Sequence, residues 1–352
     1  MSLYTNELYC DDVKRVAEID LPWENLQDRS VLLSGATGLL GSFLVDVLML
    51  KNTEGLNCRV YALGRTEKKA AERFSKWWGN EQIVLIPYDI NKSFIREDIG
   101  VVDYVLHLAS NTHPVQYATD PIGTITTNII GLQNMLEFAA AHESSRFAFA
   151  SSNEIYGENR GDTELFDEKY CGYIDSNTLR AGYPESKRCG EALCQAYMKQ
   201  KDLNIVVPRF TRSYGPTMLK SDTKAISQFI KKGMDVEDIV LKSAGKQNYS
   251  YTYMADAVSG LLTILLKGRS GEAYNIADET SNITLYDLAK LIADYSGKKV
   301  VFEIPDETEA AGYSKATKAL LDGGKLKALG WKPQYVIDEG IKRTITILKS
   351  EV

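Results

Sequence analysis

Near the middle of the chain, two residue types stand at a spacing suited to proton chemistry. In Arg180-Ala181-Gly182-Tyr183-Pro184-Glu185-Ser186-Lys187, a small-residue entry leads into the run Cys189 to Met198, which predicts a helix. Tyr183 and Lys187 then lie one turn apart on one face. A phenol ordinarily ionises at about pH 10, and a cation within a few ångströms favours the phenolate. The expected chemistry is a tyrosine that works as a base near neutrality. Taken alone, the spacing suits a solvated surface pair equally well, so its meaning depends on what else the chain supplies. Upstream, Phe147-Ala148-Phe149-Ala150 reads as a buried strand running directly into Ser151-Ser152-Asn153-Glu154. Open α/β sheets hold ligands beyond the carboxyl ends of their strands, so Ser152, Asn153 and Glu154 become candidate substrate contacts.

Elements to position these groups can be read along the chain. Val31-Leu32-Leu33-Ser34 is a short buried-strand run, followed at once by Gly35-Ala36-Thr37-Gly38-Leu39-Leu40-Gly41 and an apolar helix from Ser42 to Leu50. Strand, glycine turn and helix come in the order a dinucleotide phosphate site requires. The first two glycines let the backbone turn and approach a pyrophosphate, the third lets helix and strand pack closely, and the helix N-terminus faces the negative charge. A second strand, Arg59 to Leu63, ends in Gly64-Arg65, where an acidic residue would bind the adenosine ribose of NAD. Arg65 suits the 2′-phosphate of NADP, or is a solvated loop arginine. NAD and NADP both stay open. Strands and helices keep alternating through Ile83 to Ile86 and Tyr104 to Leu108, the pattern of an α/β fold with a doubly wound parallel sheet. His107 lies within that last apolar run and is expected to be a core histidine.

Composition bounds the rest. A net charge of −6 argues against nucleic acid as the main partner, because phosphate backbones bind basic faces. The five cysteines have neither zinc-site nor redox-motif spacing, and no metal site is expected. No leader segment and no apolar run of membrane-spanning length is seen, so a cytoplasmic protein without a membrane partner is expected.

The spacing G-x-x-G-x-x-G, with Ser152 in a segment like S-[ST]-x-x-[VI]-Y-G and Tyr183-x-x-x-Lys187 downstream, resembles the extended short-chain dehydrogenase/reductases. Within them it resembles the NAD-dependent nucleotide-sugar epimerase/dehydratase family. R-A-x-Y-x-E-x-K-R, read from Arg180 to Arg188, is most similar to UDP-glucuronate decarboxylase (UDP-xylose synthase)-like members. The resemblance implies a Rossmann-type domain over 30–211, returning around 250–265. It also implies a smaller C-terminal α/β substrate domain over 212–249 and 266–352, an N-terminal extension over 1–29, and a homodimer.

Residue by residue, the resemblance makes Ser152, Glu154, Tyr183 and Lys187 catalytic, with Tyr183 and Lys187 also touching the cofactor. It sets Asp89 and Ile90 at the adenine, and Leu108, Ala109, Ser110 and, in the central helix, Asn128 against the cofactor. Asn153 stands where the dehydratases carry Asp, which counts against water elimination. Arg180 is in place to meet a sugar carboxylate. The substrate half departs from the family. Arg212 replaces the usual Asn two residues before the Tyr of Tyr214-Gly215-Pro216. Tyr249 replaces an arginine that grips the pyrophosphate, and Gly312-Tyr313-Ser314-Lys315 lacks a further arginine. Arg212 and Tyr249 are expected at the substrate, with Arg212 taking over the pyrophosphate or the leaving nucleotide differing from UDP. The implied reaction is transient oxidation of a nucleotide-sugar at C4, with decarboxylation as the main reading and epimerisation or 4,6-dehydration as the alternative. Further alternatives are an NADPH-dependent reductase and a catalytically silent Rossmann binding protein.

Overall fold

A computed structural model describes residues 3–94, 96, 98–235, 237–303, 305, 307, 313 and 316–350. Helix α1 (Glu7–Ala17) is capped by the Asn6 side chain and buries Val13, Val16 and Ala17. Strand β1 (Ser30–Ser34) is buried at every position and feeds α2 (Leu39–Thr53), whose Phe43, Leu44, Val45 and Val47 are all covered. Apolar runs of this kind are stable only where both faces of a parallel sheet are covered. Next come β2 (Arg59–Gly64), α3 (Glu67–Arg73), β3 (Ile83–Pro87) and β4 (Tyr104–His107), then the short α4 (Pro114–Thr119) and the long α5 (Pro121–Ala141). Strand β5 (Arg146–Phe149), the two-residue β6 (Ser151–Ser152), α6 (Gly182–Lys201) and β7 (Ile205–Phe210) follow.

After β7 the chain passes through β8 (Arg212–Tyr214), α7 (Ala225–Met234), β9 (Ile239–Leu241), β10 (Asn248–Tyr253) and α8 (Met254–Lys267). It then forms β11 (Ala273–Ile276), β12 (Asn282–Thr284), α9 (Leu285–Ser296), β13 (Val300–Phe302) and β14 (Lys318–Ala319). Among the described residues the main sheet has the order β3-β2-β1-β4-β5-β7-β11, with β6 on β7. Every pairing in it is parallel. This is the doubly wound sheet expected from the sequence. The winding reverses between β1 and β4, so the ligand crevice opens at their carboxyl ends. By hydrogen bonding, Ala273–Ile276 belongs to this sheet, beyond the return around 250–265 expected from the sequence.

A smaller sheet joins β12, β10 and β14, with β8 also on β10, and β9 pairs with β13. Helix α6 lies close over the main sheet because Gly190 faces Phe149, where a Cβ would come within 2.6 Å of the ring. The N-terminal stretch is structural. Asp12 of α1 is fully buried, accepts from Tyr253 and Tyr335, and pairs with Arg343 of the C-terminal helix Ile337–Lys349 at 2.8 Å.

Candidate active site

Three parts of the chain converge at the crevice: the glycine turn after β1, the β6 segment and the start of α6. A single 3₁₀ turn, Leu179–Ala181, precedes α6, and Tyr183 and Lys187 then project from its first turns. Both are buried, at 6% and 2% exposure. The Lys187 Nζ donates to the carbonyl of Ala150 at 2.7 Å and sits 6.0 Å from the centre of the Tyr183 ring. Burial lowers its pKa to about 7.

The Tyr183 phenol differs from the sequence expectation. It is pushed up to about 12, first by burial and then by the negative charge of Glu154, against the opposing hydrogen bond to Ser152 and the charge of Arg180. An ammonium engaged with a carbonyl and itself short of solvent does not offset that burial.

Glu154 and Arg180 carry separate tasks in the sequence reading. In the structure they form one ion pair, Arg180 Nη2 to Glu154 Oε2 at 2.5 Å, with side chains 12% and 19% exposed. The guanidinium also lies 4.7 Å over the Tyr117 ring, which in turn stacks on Tyr183 at 4.8 Å and 25°. Tyr117, on α4, carries no sequence signal; its role is visible only from what it touches. Ser152 accepts from the Glu154 amide at 3.2 Å and so fixes the turn after β6. Behind it, Glu191 of α6 receives Ser151 and two nitrogens of Arg209, at 2.6 to 2.9 Å, which locks β6 against α6.

The main cleft, about 430 Å³, is lined at one end by Gly35, Thr37, Gly38, Leu39, Leu40 and Gly41 and then by Arg65, Asp89 and Ile90. Leu108, Ala109 and Ser110 follow, and Ser152, Asn153, Glu154, Tyr183, Lys187 and Arg212 complete the lining. The residues there fit the pyrophosphate of a dinucleotide. Gly35 has φ +73°, and a Cβ on it would lie 2.8 Å from the Ala109 nitrogen. Helix α2 starts at Gly38 with no side-chain cap, so its first-turn amides are open to an anion. Asn128 is a correction. It is fully buried outside the cleft lining, accepts from Ser110 at 2.7 Å and donates to Ser186 at 2.9 Å. These two bonds tie the end of β4 to α6 behind the cleft. His107 is the core residue expected, unexposed, bonded to Ser34 at 2.9 Å and held down to about 3 by burial and then by Lys187.

Two hollows of about 180 and 160 Å³ open from the catalytic end, and Glu154, Arg180 and Arg212 line both. Tyr249 lines the larger. The Arg212 guanidinium carbon stands 3.4 Å from the centre of the Tyr249 ring, and the Tyr249 hydroxyl donates to the Ala316 carbonyl at 2.7 Å. The buried Arg212 Nη1 has no hydrogen-bond partner among the described residues. A buried donor left so costs about 1–3 kcal/mol. Gly312, Ser314 and Lys315 lie outside the described residues; Tyr313 lines the larger hollow.

The model of the NAD dependent epimerase/dehydratase family matches residues 31–277, well over half of the chain. The chain belongs to that family. Among curated relatives of this family member, UDP-glucuronic acid decarboxylase 1 of Xenopus tropicalis is 31% identical over 324 residues, covering 92% of this chain and 73% of the relative. UDP-glucuronic acid decarboxylase 3 of Arabidopsis thaliana is 30% identical, covering 88% and 86%. Solved structures give the same fold. The dTDP-glucose 4,6-dehydratase of Streptomyces venezuelae, with NAD bound, aligns with a TM-score of 0.79 at 22% identity, covering 91% of this chain and 97% of its own. The UDP-glucuronic acid 4-epimerase of Bacillus cereus, in complex with UDP-glucuronic acid and NAD, aligns at 0.77 and 22%, covering 92% and 100%. NAD is the cofactor of the family, and Arg65 lines the cleft at the end of β2. No described helix is long and apolar enough to cross a membrane.

Proposed function

We propose that the chain decarboxylates a nucleotide-sugar whose hexose carries a carboxylate on C5, a UDP-glucuronate decarboxylase-like reaction. The observation that carries this reading is the Glu154–Arg180 ion pair beside Tyr183 and Ser152. A sugar carboxylate entering there exchanges for Glu154 on the guanidinium, because Arg180 offers a planar fork that suits two carboxylate oxygens. NAD, when bound, takes a hydride from sugar C4 and returns it at the end of the cycle. Tyr183, in its deprotonated form, takes the proton of the 4-hydroxyl through Ser152 and returns it with the hydride, and Lys187 stands 6.0 Å from its ring centre. Oxidation at C4 makes the substrate a β-keto acid. Its C5–carboxyl bond breaks, carbon dioxide leaves, and the electron pair stays as the enolate of the 4-ketone, whose oxygen the Tyr183 hydroxyl bonds. Glu154, freed from Arg180, takes up a proton from solvent and passes it to C5. The sum consumes one proton, releases one carbon dioxide and leaves the cofactor unchanged.

The identities to decarboxylases support the same reading. With a neutral hexose the same groups serve an epimerase or a 4,6-dehydratase, and Asn153, a carboxamide with no proton to give, weighs against the dehydratase. Incubation with NAD and UDP-glucuronate is expected to yield carbon dioxide and a UDP-pentose with no net NADH. Inertness towards UDP-glucuronate with turnover of UDP-glucose or dTDP-glucose overturns the decarboxylase in favour of the alternatives, and net consumption of added NADPH replaces it with a reductase. A cytoplasmic homodimer belongs to the proposal. Its support is the exposed Ile122 and Ile130 on α5, at 75% and 43%, and light scattering tests it.

A further inference from the structure

We propose that Arg212, held flat on Tyr249, is the cation that binds the diphosphate of the nucleotide-sugar. The inference rests on the nucleotide-sugar reading but not on decarboxylation. Arg212 and Tyr249 come from neighbouring strands, since β8 lies parallel to β10 with Arg212 opposite Tyr251. The ring is fixed through its hydroxyl on Ala316 and its strand pairing to Ile283 and Ala319. A guanidinium stacked on a fixed aromatic face keeps its charge and its edge donors while losing freedom to rotate. Its Nη1 is the donor without an acceptor among the described residues. The site therefore holds an oriented cation with a bond still to make.

Location decides which anion it meets. The larger hollow carries apolar Ile226, Phe229 and Leu241, suited to the flat face of a base. Glu154 and Arg180 line both hollows and reach Tyr183 through Tyr117, where the sugar would react. Among the described cations, Arg212 alone lines both hollows and the cofactor cleft. A ligand laid across the three presents base, then phosphates, then sugar, and its phosphates pass Arg212. Arg212 supplies the cation and Tyr249 the surface it rests on.

Titration calorimetry on the NAD-saturated full chain tests this with UDP and uridine as probes, with dTDP, CDP, GDP and ADP alongside. The wild type is expected to prefer UDP to uridine. Arg212→Ala is expected to weaken UDP by about tenfold or more, the worth of a charge-assisted bond, while uridine binding stays level. Tyr249→Leu is expected to lose a smaller part of the same gap, and Tyr249→Phe to keep most of it. Should Arg212→Ala fail to fold, Arg212→Lys keeps a charge but not the flat fork, and a partial loss is expected. An unchanged UDP-to-uridine gap in the Arg212 variants overturns the proposal. So does a loss confined to UDP-glucuronate with UDP unaffected, which makes Arg212 a carboxylate ligand, and so does a wild type that binds none of the diphosphates. A protein that binds UDP through Arg212 but leaves UDP-glucuronate intact defeats the decarboxylase reading alone.

Discussion

On the cofactor side of the crevice, backbone shapes the cleft: a left-handed Gly35, an uncapped first turn at Gly38 and the carboxyl ends of β1 and β4. On the substrate side the shape comes from charged and aromatic side chains stacked in two towers, Arg180 on Tyr117 on Tyr183 and Arg212 on Tyr249. A cradle of amides binds what the family shares, while side-chain towers can be exchanged residue by residue to choose a substrate. The difference between the towers is as instructive. Arg180 already has a carboxylate at 2.5 Å, whereas Arg212 has a buried nitrogen still without an acceptor among the described residues. On the proposed reading, Arg180 exchanges a partner when substrate enters and Arg212 gains one.

Perturbing each side alone should separate them. Tyr183→Phe is expected to lower turnover by about 10³-fold while NAD titrates as in the wild type, since the hydroxyl moves protons and does not shape the cleft. Loss of NAD binding in that variant would join the two sides and make Tyr183 a packing residue. Gly35→Ala is expected to act on the cofactor side, removing NAD binding and about 3 kcal/mol of stability in denaturant titration, because a side chain at φ +73° collides with the strand end at Ala109. A variant that still binds NAD normally contradicts the backbone cradle. Glu154→Gln removes the carboxylate charge 2.5 Å from the part-buried Arg180 and is expected to cost about 2 kcal/mol, with turnover impaired and NAD affinity unchanged.

A further test is a pH effect at the end of β4. His107 is held at about 3 in the folded chain against a usual value of about 6.5, so between those limits the unfolded chain binds the extra proton. Its contribution is fully present above the usual value and is lost as pH falls towards 3, at roughly 1.4 kcal/mol per pH unit. His107→Gln is expected to flatten that part of the stability curve relative to wild type. Parallel curves for the two proteins would mean that the imidazole takes up its proton without unfolding.

Much of the fold and half of the site were legible in the residues alone. Val31 to Gly41 spells strand, turn and helix in contiguous chain, and Tyr183 and Lys187 are brought together by helical pitch. Local backbone preference dictates both, so reading them requires no knowledge of what packs nearby. Other assignments required distant partners. Asn128 reads as a cofactor contact, but Ser110 and Ser186 take its amide. Lys187 reads as the group that acidifies Tyr183, but the Ala150 carbonyl holds it and burial raises the phenol.

By itself, then, the sequence determined the doubly wound sheet, the glycine turn and the one-turn pairing of Tyr183 and Lys187, because each is encoded within one or two turns of chain. Only the tertiary structure decided that Glu154 and Arg180 are one ion pair, that Tyr117 bridges Arg180 to Tyr183 and that Arg212 rests on Tyr249. Those contacts depend on strand register and on which carbonyls and carboxylates reach a buried charge first. Such competition is settled between segments far apart in sequence, and no local pattern records its outcome.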